Sequence, residues 1–362
     1  MRDVRRQIGQ LAFAGFAGHS IPQDLRLLAR EFDLGGITLF ARNVEAPEQV
    51  AELARDAQSL ANELPLWVST DQEGGRVARL KTPFTVWPPM LTLGRSGDAK
   101  LAERFARALA AELRAVGVSL DFTPVLDILT NSKNPVIGDR ALAERAEDVA
   151  TLGAVIIRTL QQEGIAACGK HFPGHGDTST DSHHELPIVE HPPDRLERVE
   201  WVPFRAAIEA DVACIMTAHV LVPALDDARP ATLSPRIVDG ILKRKLGYSG
   251  LVVTDDLDMK AISATYGASD AVVAAIAAGC DAVLMCGTSQ EMQAGALEAL
   301  IHSVESGTLP LKRVEDALAR HRRVKERFLA PTRPLPLTGT ALRNLLGRDE
   351  HQAVAAEMAR YA

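Results

Sequence analysis

The sequence predicts a single (β/α)8 barrel of the α/β class, with a helical extension at its C-terminal end. Eight short apolar runs recur along the 362 residues, and segments with helical spacing of apolar residues separate them. Most of these runs are apolar on both faces, as expected for strands of a buried parallel sheet. A doubly wound open sheet would also alternate strands and helices, but a count of eight strands favours the closed barrel.

The predicted elements follow one another with short connections. The eight strands are expected at Gln10–Phe16, Gly36–Phe40, Leu66–Thr70, Ser119–Pro124, Ala166–His171, Ala213–Ala218, Leu251–Thr254 and Ala282–Cys286. Helices are expected at Pro47–Asn62, Lys100–Val116, Glu147–Glu163, Glu200–Ala210, Ser234–Leu246, Asp270–Ala278, Gln290–Ser306 and Leu311–Leu329. Pro47 suits the first turn of its helix, where a missing N–H costs nothing.

The barrel is predicted to occupy residues 1–330. The stretch Pro331–Pro336 marks a boundary, and a final helix is expected at about Asp349–Tyr361. Residues 331–362 are therefore predicted to be an extension packed on the barrel rather than a separate domain.

Composition limits the possible partners and compartments. The formal net charge is −7 and the sequence contains no block of Lys and Arg, which argues against nucleic acid and anionic membranes as partners. The sequence shows no secretory signal and no apolar run long enough to span a membrane. The cysteines, which lie in or beside apolar runs, are expected to be core residues: Cys168, Cys214, Cys280 and Cys286. These features predict a cytoplasmic protein, and we expect a monomer or a weak homodimer.

Polar residues cluster just after the predicted strands. Asp71–Arg76 follows strand three, Asp127 and Asn134–Arg140 follow strand four, and Asp255 follows strand seven. Because all strands of a barrel end on one face, where active sites are built, these groups are expected to meet in one pocket.

The densest polar segment is Lys170–Pro187, which follows strand five. It contains four of the ten histidines, three carboxylates and a lysine, and its glycines and prolines predict a long loop. A solvated surface loop is one alternative. A metal site is another, since imidazole and carboxylate suit Zn, Fe or Mn. However, the spacing of His171 and His175 would bring them together reliably only on a helix, which Pro173 and Gly174 disfavour.

Acid–base catalysis is the third interpretation of this loop. Asp181 and His183 flank one residue, so the carboxylate can bind one ring nitrogen and leave the other facing a substrate. That pairing favours imidazolium and fixes the tautomer, which allows His183 to donate a proton and then to accept one from water.

The end of strand seven supplies a candidate nucleophile. Asp255 is nearest the strand and can attack an anomeric carbon. Helix capping is the alternative for these carboxylates, and Asp256 or Asp258 suits it. Asp71 can accept hydrogen bonds from sugar hydroxyls. The cationic residues Arg79, Arg140 and Lys170 can donate to them, although surface charge is the alternative for each arginine.

The loop motif resembles the signature of family 3 glycoside hydrolases. The resemblance rests on Lys170–Thr178, which reads Lys-His-Phe-Pro-Gly-His-Gly-Asp-Thr, and on Asp181-Ser182-His183. Asp71–Arg76, Asn134–Arg140 and Thr254–Leu257 match the bacterial β-N-acetylhexosaminidase branch in the same order. The likeness extends over nearly the whole chain, including His351–Met358.

This resemblance implies a retaining, two-step mechanism without a cofactor or a metal ion. Asp255 would be the nucleophile, and His183, oriented by Asp181, the general acid and then the general base. The residues expected to bind N-acetylglucosamine are Asp71, Arg79, Arg140, Lys170 and His171. The expected substrates are muropeptides in which N-acetylglucosamine is linked to 1,6-anhydro-N-acetylmuramic acid, and the expected role is cell-wall recycling. Many family members carry a second sandwich domain, and this chain is expected to be the short form.

Two other activities remain open. Because a histidine acid/base carries no negative charge, phosphate could replace water as the attacking group, which would make the protein an N-acetylglucosaminide phosphorylase. A metal-dependent amidohydrolase built from the same histidines is a weaker alternative.

Overall fold

Eight parallel strands close into a barrel in a computed structural model that describes residues 2–182, 185–287, 289–329 and 335–362. The strands are β1 (Ala12–Ala14), β2 (Gly36–Leu39), β3 (Trp67–Thr70), β4 (Leu120–Asp121), β5 (Ala166–Phe172), β6 (Cys214–Thr217), β7 (Leu251–Asp256) and β8 (Ala282–Met285). Each strand pairs with the next along the chain, and β1 pairs with β8 to close the ring. The prediction of a (β/α)8 barrel is confirmed.

Helices surround the barrel. They are Arg2–Gln7, Gln23–Phe32, Pro47–Gln58, Met90–Ser96, Ala99–Ala115, Ala146–Gln162, Pro193–Arg198, Val202–Glu209, Lys260–Ser263, Ala268–Ala278, Gln290–Glu305, Leu311–Phe328, Gly339–Leu345 and Asp349–Ala359, with a π-helical segment at Arg236–Lys245. The helix Gln23–Phe32 was not predicted, although its buried Leu25, Leu28, Ala29 and Phe32 have helical spacing.

A short antiparallel hairpin was also not predicted. It joins Gln72–Gly74 to Val77–Ala78 immediately after β3. The predicted first strand is shorter than expected, since Ile8–Leu11 forms a 3₁₀ turn before β1. Within the described chain, no helix has the length and apolar character needed to cross a membrane.

The barrel interior is filled by alternate residues of the strands. Trp67 of β3, Leu120 of β4, Cys168 of β5 and Val253 of β7 belong to one buried cluster. Successive side chains of a strand point to opposite faces, so the residues two positions further on continue the same inward series. The last turn of Leu311–Phe328 closes the opposite end of the barrel, where the Phe328 ring lies 6.4 Å from that of Trp67.

The C-terminal residues pack along the helix Ala99–Ala115. Leu342 and Met358 are fully buried, and the backbone N–H of Leu337 donates to the carbonyl of Ala115 over 2.8 Å. The predicted final helix is present at Asp349–Ala359. Most of the predicted boundary Pro331–Pro336 lies outside the described residues.

The four cysteines are buried and free, as predicted. Cys168, Cys214 and Cys286 lie in the barrel interior, where burial raises the pKa of each thiol. They therefore act as small apolar side chains.

Candidate active site

On three strands, the row of side chains that faces the barrel interior ends in a charged residue. Asp71 follows Trp67 and Ser69 of β3, Lys170 follows Ala166 and Cys168 of β5, and Asp255 follows Leu251 and Val253 of β7. Their side chains are brought to the C-terminal mouth of the barrel by the two-residue period of the strands.

A cavity of about 380 Å³ opens at this mouth. Its lining includes every predicted site residue within the described chain, namely Asp71, Arg79, Arg140, Lys170, His171, Asp181 and Asp255. His183, the predicted acid/base, lies outside the described residues. The apolar side chains of Phe40, Phe122, Met216 and Leu284 are also part of the walls.

An ion-pair network joins the cationic residues of the cavity. Lys170 Nζ lies 2.8 Å from Asp71 Oδ1 and 2.6 Å from Glu73 Oε1. Arg140 binds both oxygens of Glu73, at 2.9 and 2.8 Å, and Arg79 Nη2 lies 3.1 Å from Asp71 Oδ2. Both carboxylates therefore hold donors that face the cavity.

Burial and charge act in opposite directions on this network. Burial would raise the pKa of Asp71, but Lys170 and Arg79 outweigh it and hold that pKa below its usual range. Burial is likewise outweighed at Glu73, where Arg140 and Lys170 lower the pKa to about 2. Burial disfavours the Lys170 ammonium, yet Asp71 and Glu73 raise its pKa. All of these groups are ionised at neutral pH.

Glu73 was not singled out from the sequence. It is 1 % exposed and lies behind Lys170 and Arg140 rather than in the cavity wall. Its position two residues after Asp71 was the only local indication of a role. Its partners, Arg140 and Lys170, follow 67 and 97 positions later in the sequence. Only the barrel brings them together.

His171 is held by Asp127, a residue that lies far from it in the sequence. Asp127 Oδ2 lies 2.6 Å from His171 Nδ1 and accepts the backbone N–H of His171 over 3.1 Å. The other oxygen, Oδ1, accepts the backbone N–H of His175 over 2.7 Å. Burial would raise the pKa of Asp127, but His171 outweighs it and lowers that pKa.

Two adjacent aspartates at the end of β7 have pKa values shifted in opposite directions. Burial opposes ionisation of Asp255, but His171, His219, the backbone N–H of Asp256 and Lys170 outweigh it and lower its pKa. Burial and the carboxylate of Asp258 instead raise the pKa of Asp256 to about 7. Asp256 Oδ1 accepts the backbone N–H groups of Asp258 and Cys286, so Asp256 organises the turn after the strand.

Close backbone packing explains the glycines of the loop motif. A Cβ added at Gly176 would lie 1.7 Å from the carbonyl oxygen of Ile128, so only glycine fits there. The side chain of Asn134 fixes the same turn by donating to the carbonyls of His175 and Gly176 over 2.8 and 3.0 Å. Gly174 has φ +127°, a backbone conformation that favours glycine.

The parts of the chain that are described contain no arrangement of side chains that matches the metal site considered from the sequence. There, no group of three or more His, Cys, Asp and Glu side chains is placed to hold a metal ion. Nδ1 of His171 faces Asp127, and Nδ1 of His175 faces Thr178 Oγ1 at 2.7 Å.

Comparisons with known proteins place this site in a family context. The family described as "Glycosyl hydrolase family 3 N terminal domain" matches residues 3–324. The chain is 41 % identical over 277 residues to a beta-hexosaminidase of Bordetella pertussis, covering 75 % of this chain and 78 % of that protein. It is 33 % identical over 366 residues to beta-hexosaminidase A of Pseudoalteromonas piscicida, covering 94 % of this chain but only 60 % of that longer relative.

Solved structures resemble the whole barrel. A family 3 beta-N-acetylglucosaminidase from Paenibacillus superposes with a TM-score of 0.93 at 42 % identity, covering 99 % of this chain and 68 % of that one. NagZ from Neisseria gonorrhoeae, solved with N-trifluoroacetyl-D-glucosamine, superposes with a TM-score of 0.78 at 31 % identity, covering 97 % and 98 % of the two chains.

Proposed function

The chain belongs to glycosyl hydrolase family 3, in the group of its β-N-acetylhexosaminidases, and on that premise we propose that it is a retaining exo-β-N-acetylglucosaminidase. It removes terminal N-acetylglucosamine from the non-reducing end of its substrate. The observation that carries this proposal is the meeting of Asp71, Lys170, His171 and Asp255 in one cavity of about 380 Å³.

The cavity has the donors and acceptors that a sugar ring requires. Asp71 offers carboxylate oxygens, and Lys170, Arg79 and Arg140 offer charged donors. Arg79 Nε is buried and has no hydrogen-bond partner among the described residues. Because Nε is shielded from solvent, a substrate oxygen could pair with it only if the Arg79 side chain moved on binding.

In the first step, the Asp255 carboxylate attacks the anomeric carbon of the sugar as the bond from that carbon to the leaving oxygen breaks. The lowered pKa of Asp255 keeps it ionised and ready for attack. His183, oriented by Asp181, donates its proton to the leaving oxygen, which departs as a neutral alcohol. The product is a covalent glycosyl-enzyme.

In the second step, the now neutral His183 takes a proton from water, and the water oxygen attacks the anomeric carbon. The bond to Asp255 breaks, and its carboxylate is restored. Two displacements at one carbon retain the β configuration. His183 lies outside the described residues, so its role rests on the sequence motif and on Asp181, which lines the cavity.

We further propose that the natural substrates are muropeptide fragments carrying N-acetylglucosamine on 1,6-anhydro-N-acetylmuramic acid, degraded during cell-wall recycling in the cytoplasm. The similarity to NagZ, solved with N-trifluoroacetyl-D-glucosamine, supports the N-acetylglucosamine unit, and the family resemblance of the loop motif supports the muropeptide. Competition between such a fragment and a chitin disaccharide would test it. A higher kcat/KM for the chitin disaccharide would contradict the muropeptide assignment while leaving the glycosidase activity intact.

The proposed nucleophile can be tested by trapping. A 5-fluoro N-acetylglucosaminyl fluoride should inactivate the enzyme and leave a sugar label on the peptide that contains Asp255. Asp255→Asn should lower kcat for an aryl N-acetylglucosaminide on the order of a thousandfold or more. A label on another residue, or an active Asp255→Asn variant, would refute the assignment.

Product analysis with inorganic phosphate present separates hydrolysis from phosphorolysis. Free N-acetylglucosamine is the expected product, whereas its 1-phosphate would identify a phosphorylase. Retention of activity after treatment with a chelator is expected, and its loss with recovery on adding metal would support the amidohydrolase alternative.

A further inference from the structure

Ser182 is buried, whereas the three residues before it, Ser179, Thr180 and Asp181, are exposed or only partly buried. Ser182 is 1 % exposed. Ser182 lines the cavity together with Asp181, its neighbour in sequence. In the sequence it stands between Asp181 and His183, the two members of the proposed proton-transfer pair.

Two hydrogen bonds hold Ser182, one at its side chain and one at its backbone. Its Oγ lies 3.1 Å from His175 Nε2, which belongs to the first half of the loop motif. Its carbonyl accepts the backbone N–H of Ala261 over 3.1 Å. Ala261 lies in the helix Lys260–Ser263, which follows β7 and its Asp255. Ser182 thus connects the loop after β5 with the loop after β7.

His175 is itself rigidly placed. Its backbone N–H binds Asp127, its carbonyl accepts from Asn134, and its Nδ1 lies 2.7 Å from Thr178 Oγ1. The Thr178 hydroxyl donates to the carbonyl of His175 over 3.1 Å. Since that hydroxyl has one proton, Nδ1–H of His175 donates to Thr178, and Nε2 is left to accept the Ser182 proton.

The protonation state of His175 agrees with this arrangement. Burial lowers the pKa of His175 to about 4, even though Asp127 acts in the opposite direction. A neutral ring has one acceptor nitrogen at neutral pH, and the Ser182 hydroxyl is the donor that faces it.

We propose that Ser182 and His175 are positioning residues that hold Asp181 at the cavity, where Asp181 acts on the proposed acid/base residue His183. The inference rests on the proposed function. Neither residue transfers a proton to the substrate. Their contribution is to fix the backbone beside the acid, where a displacement of about 1 Å can cost on the order of a hundredfold in rate.

The first test uses two matched substitutions, Ser182→Ala and Ser179→Ala, with two aryl N-acetylglucosaminides. A 4-methylphenyl leaving group needs protonation, whereas a 2,4-dinitrophenyl group leaves without it. Ser182→Ala should lower kcat/KM at least about tenfold for the first substrate and less than about threefold for the second. Ser179→Ala should change neither. An equal loss on both substrates, or no loss, would overturn the proposal.

A double-mutant cycle with Asp181→Asn distinguishes positioning from a general loss of structure. If Ser182 acts through Asp181, Ser182→Ala should add little to the leaving-group effect already present in Asp181→Asn. A purely structural defect would multiply the two losses, and that result would contradict the inference. Thermal unfolding of each variant checks that it is folded.

Assays of the wild-type enzyme and the variants distinguish a failure of this inference from a failure of the proposed function on which it rests. If it fails to hydrolyse the 2,4-dinitrophenyl substrate, the proposed function is wrong and the inference fails with it. If it is active and Asp255→Asn is not, while Ser182→Ala matches Ser179→Ala, only the inference is wrong.

Discussion

At the scale of single residues, Asp127 binds two histidines of the loop motif, His171 and His175. One of its oxygens binds the ring and backbone of His171, and the other binds the backbone of His175. Asp127 therefore holds both His171, a proposed sugar-binding residue, and His175, which contacts Ser182 beside the proposed acid.

Asp127→Asn should lower kcat/KM for an aryl N-acetylglucosaminide by about tenfold to a hundredfold. The variant keeps the side-chain shape but loses the negative charge, and a hydrogen bond to a charged group contributes about 1.5–3 kcal/mol. Asp148→Asn, on an exposed helical surface, is the control and should leave the rate unchanged. Wild-type kinetics in Asp127→Asn would show that the charge is dispensable.

Gly176→Ala should destabilise the fold or displace the loop, because the new Cβ would meet the Ile128 carbonyl at 1.7 Å. We expect a loss of at least about 3 kcal/mol in the free energy of unfolding, measured in urea. Gly295→Ala is the contrast. Gly295 lies in the helix Gln290–Glu305 with nothing within 4 Å, so alanine should stabilise by about 0.5–1 kcal/mol. A Gly176→Ala variant as stable as the wild type would contradict the close approach.

At the scale of elements, the final helix Asp349–Ala359 is attached to the barrel by a buried hydrogen-bond network. Glu112 Oε1 accepts from Thr85 Oγ1, His351 Nδ1 and the Gly347 N–H over 2.7, 2.8 and 2.9 Å. Arg348 Nε donates to His351 Nε2 over 3.0 Å, which makes His351 the neutral tautomer with its proton on Nδ1. Sequence periodicity predicted this helix but not the residue that secures it.

His351→Ala should lower the free energy of unfolding by about 1–3 kcal/mol, since it removes one donor from the buried Glu112 carboxylate and opens a cavity. Gln352→Ala, at the exposed neighbouring position, should change it by less than about 0.5 kcal/mol. Urea unfolding of both variants measures the difference. Equal stabilities would mean that the network does not hold the helix.

At the scale of the whole molecule, ion pairs across the mouth connect distant parts of the barrel. Lys170 on β5 binds Asp71 and Glu73 after β3, and Arg140 after β4 binds Glu73. These contacts cross the site instead of following the chain, so they contribute to the stability of the closed barrel and to the site together.

This network predicts how stability depends on acid. The pKa of Glu73 falls from 4.5 when unfolded to about 2 when folded, so its contribution is fully present above pH 4.5 and is lost as the pH falls towards 2. That contribution is up to about 3 kcal/mol. Glu73→Gln should therefore be less stable than the wild type at pH 6, and the gap should narrow between pH 4.5 and 2. A gap independent of pH would show that the Glu73 charge is not responsible.

Much of this architecture could be predicted from the sequence because it depends on local patterns. Eight apolar runs indicated the eight strands, and polar residues after them indicated the shared mouth. The hairpin after β3 could not be predicted in this way, because its two strands are only three and two residues long. Such a pair is held by its surroundings, which a local pattern does not contain.

The sequence by itself determined the barrel, the strand ends and the loop motif, because a two-residue or 3.6-residue period acts within one segment. Only the tertiary structure decided the partners: Glu73 for Lys170 and Arg140, Asp127 for His171, and Ala261 for Ser182. These contacts join residues on different strands and loops, and the closed ring of strands sets their distances. Lys170, His171 and Asp255 line the cavity as their motifs suggested, but the groups that hold them there became visible only in the folded barrel.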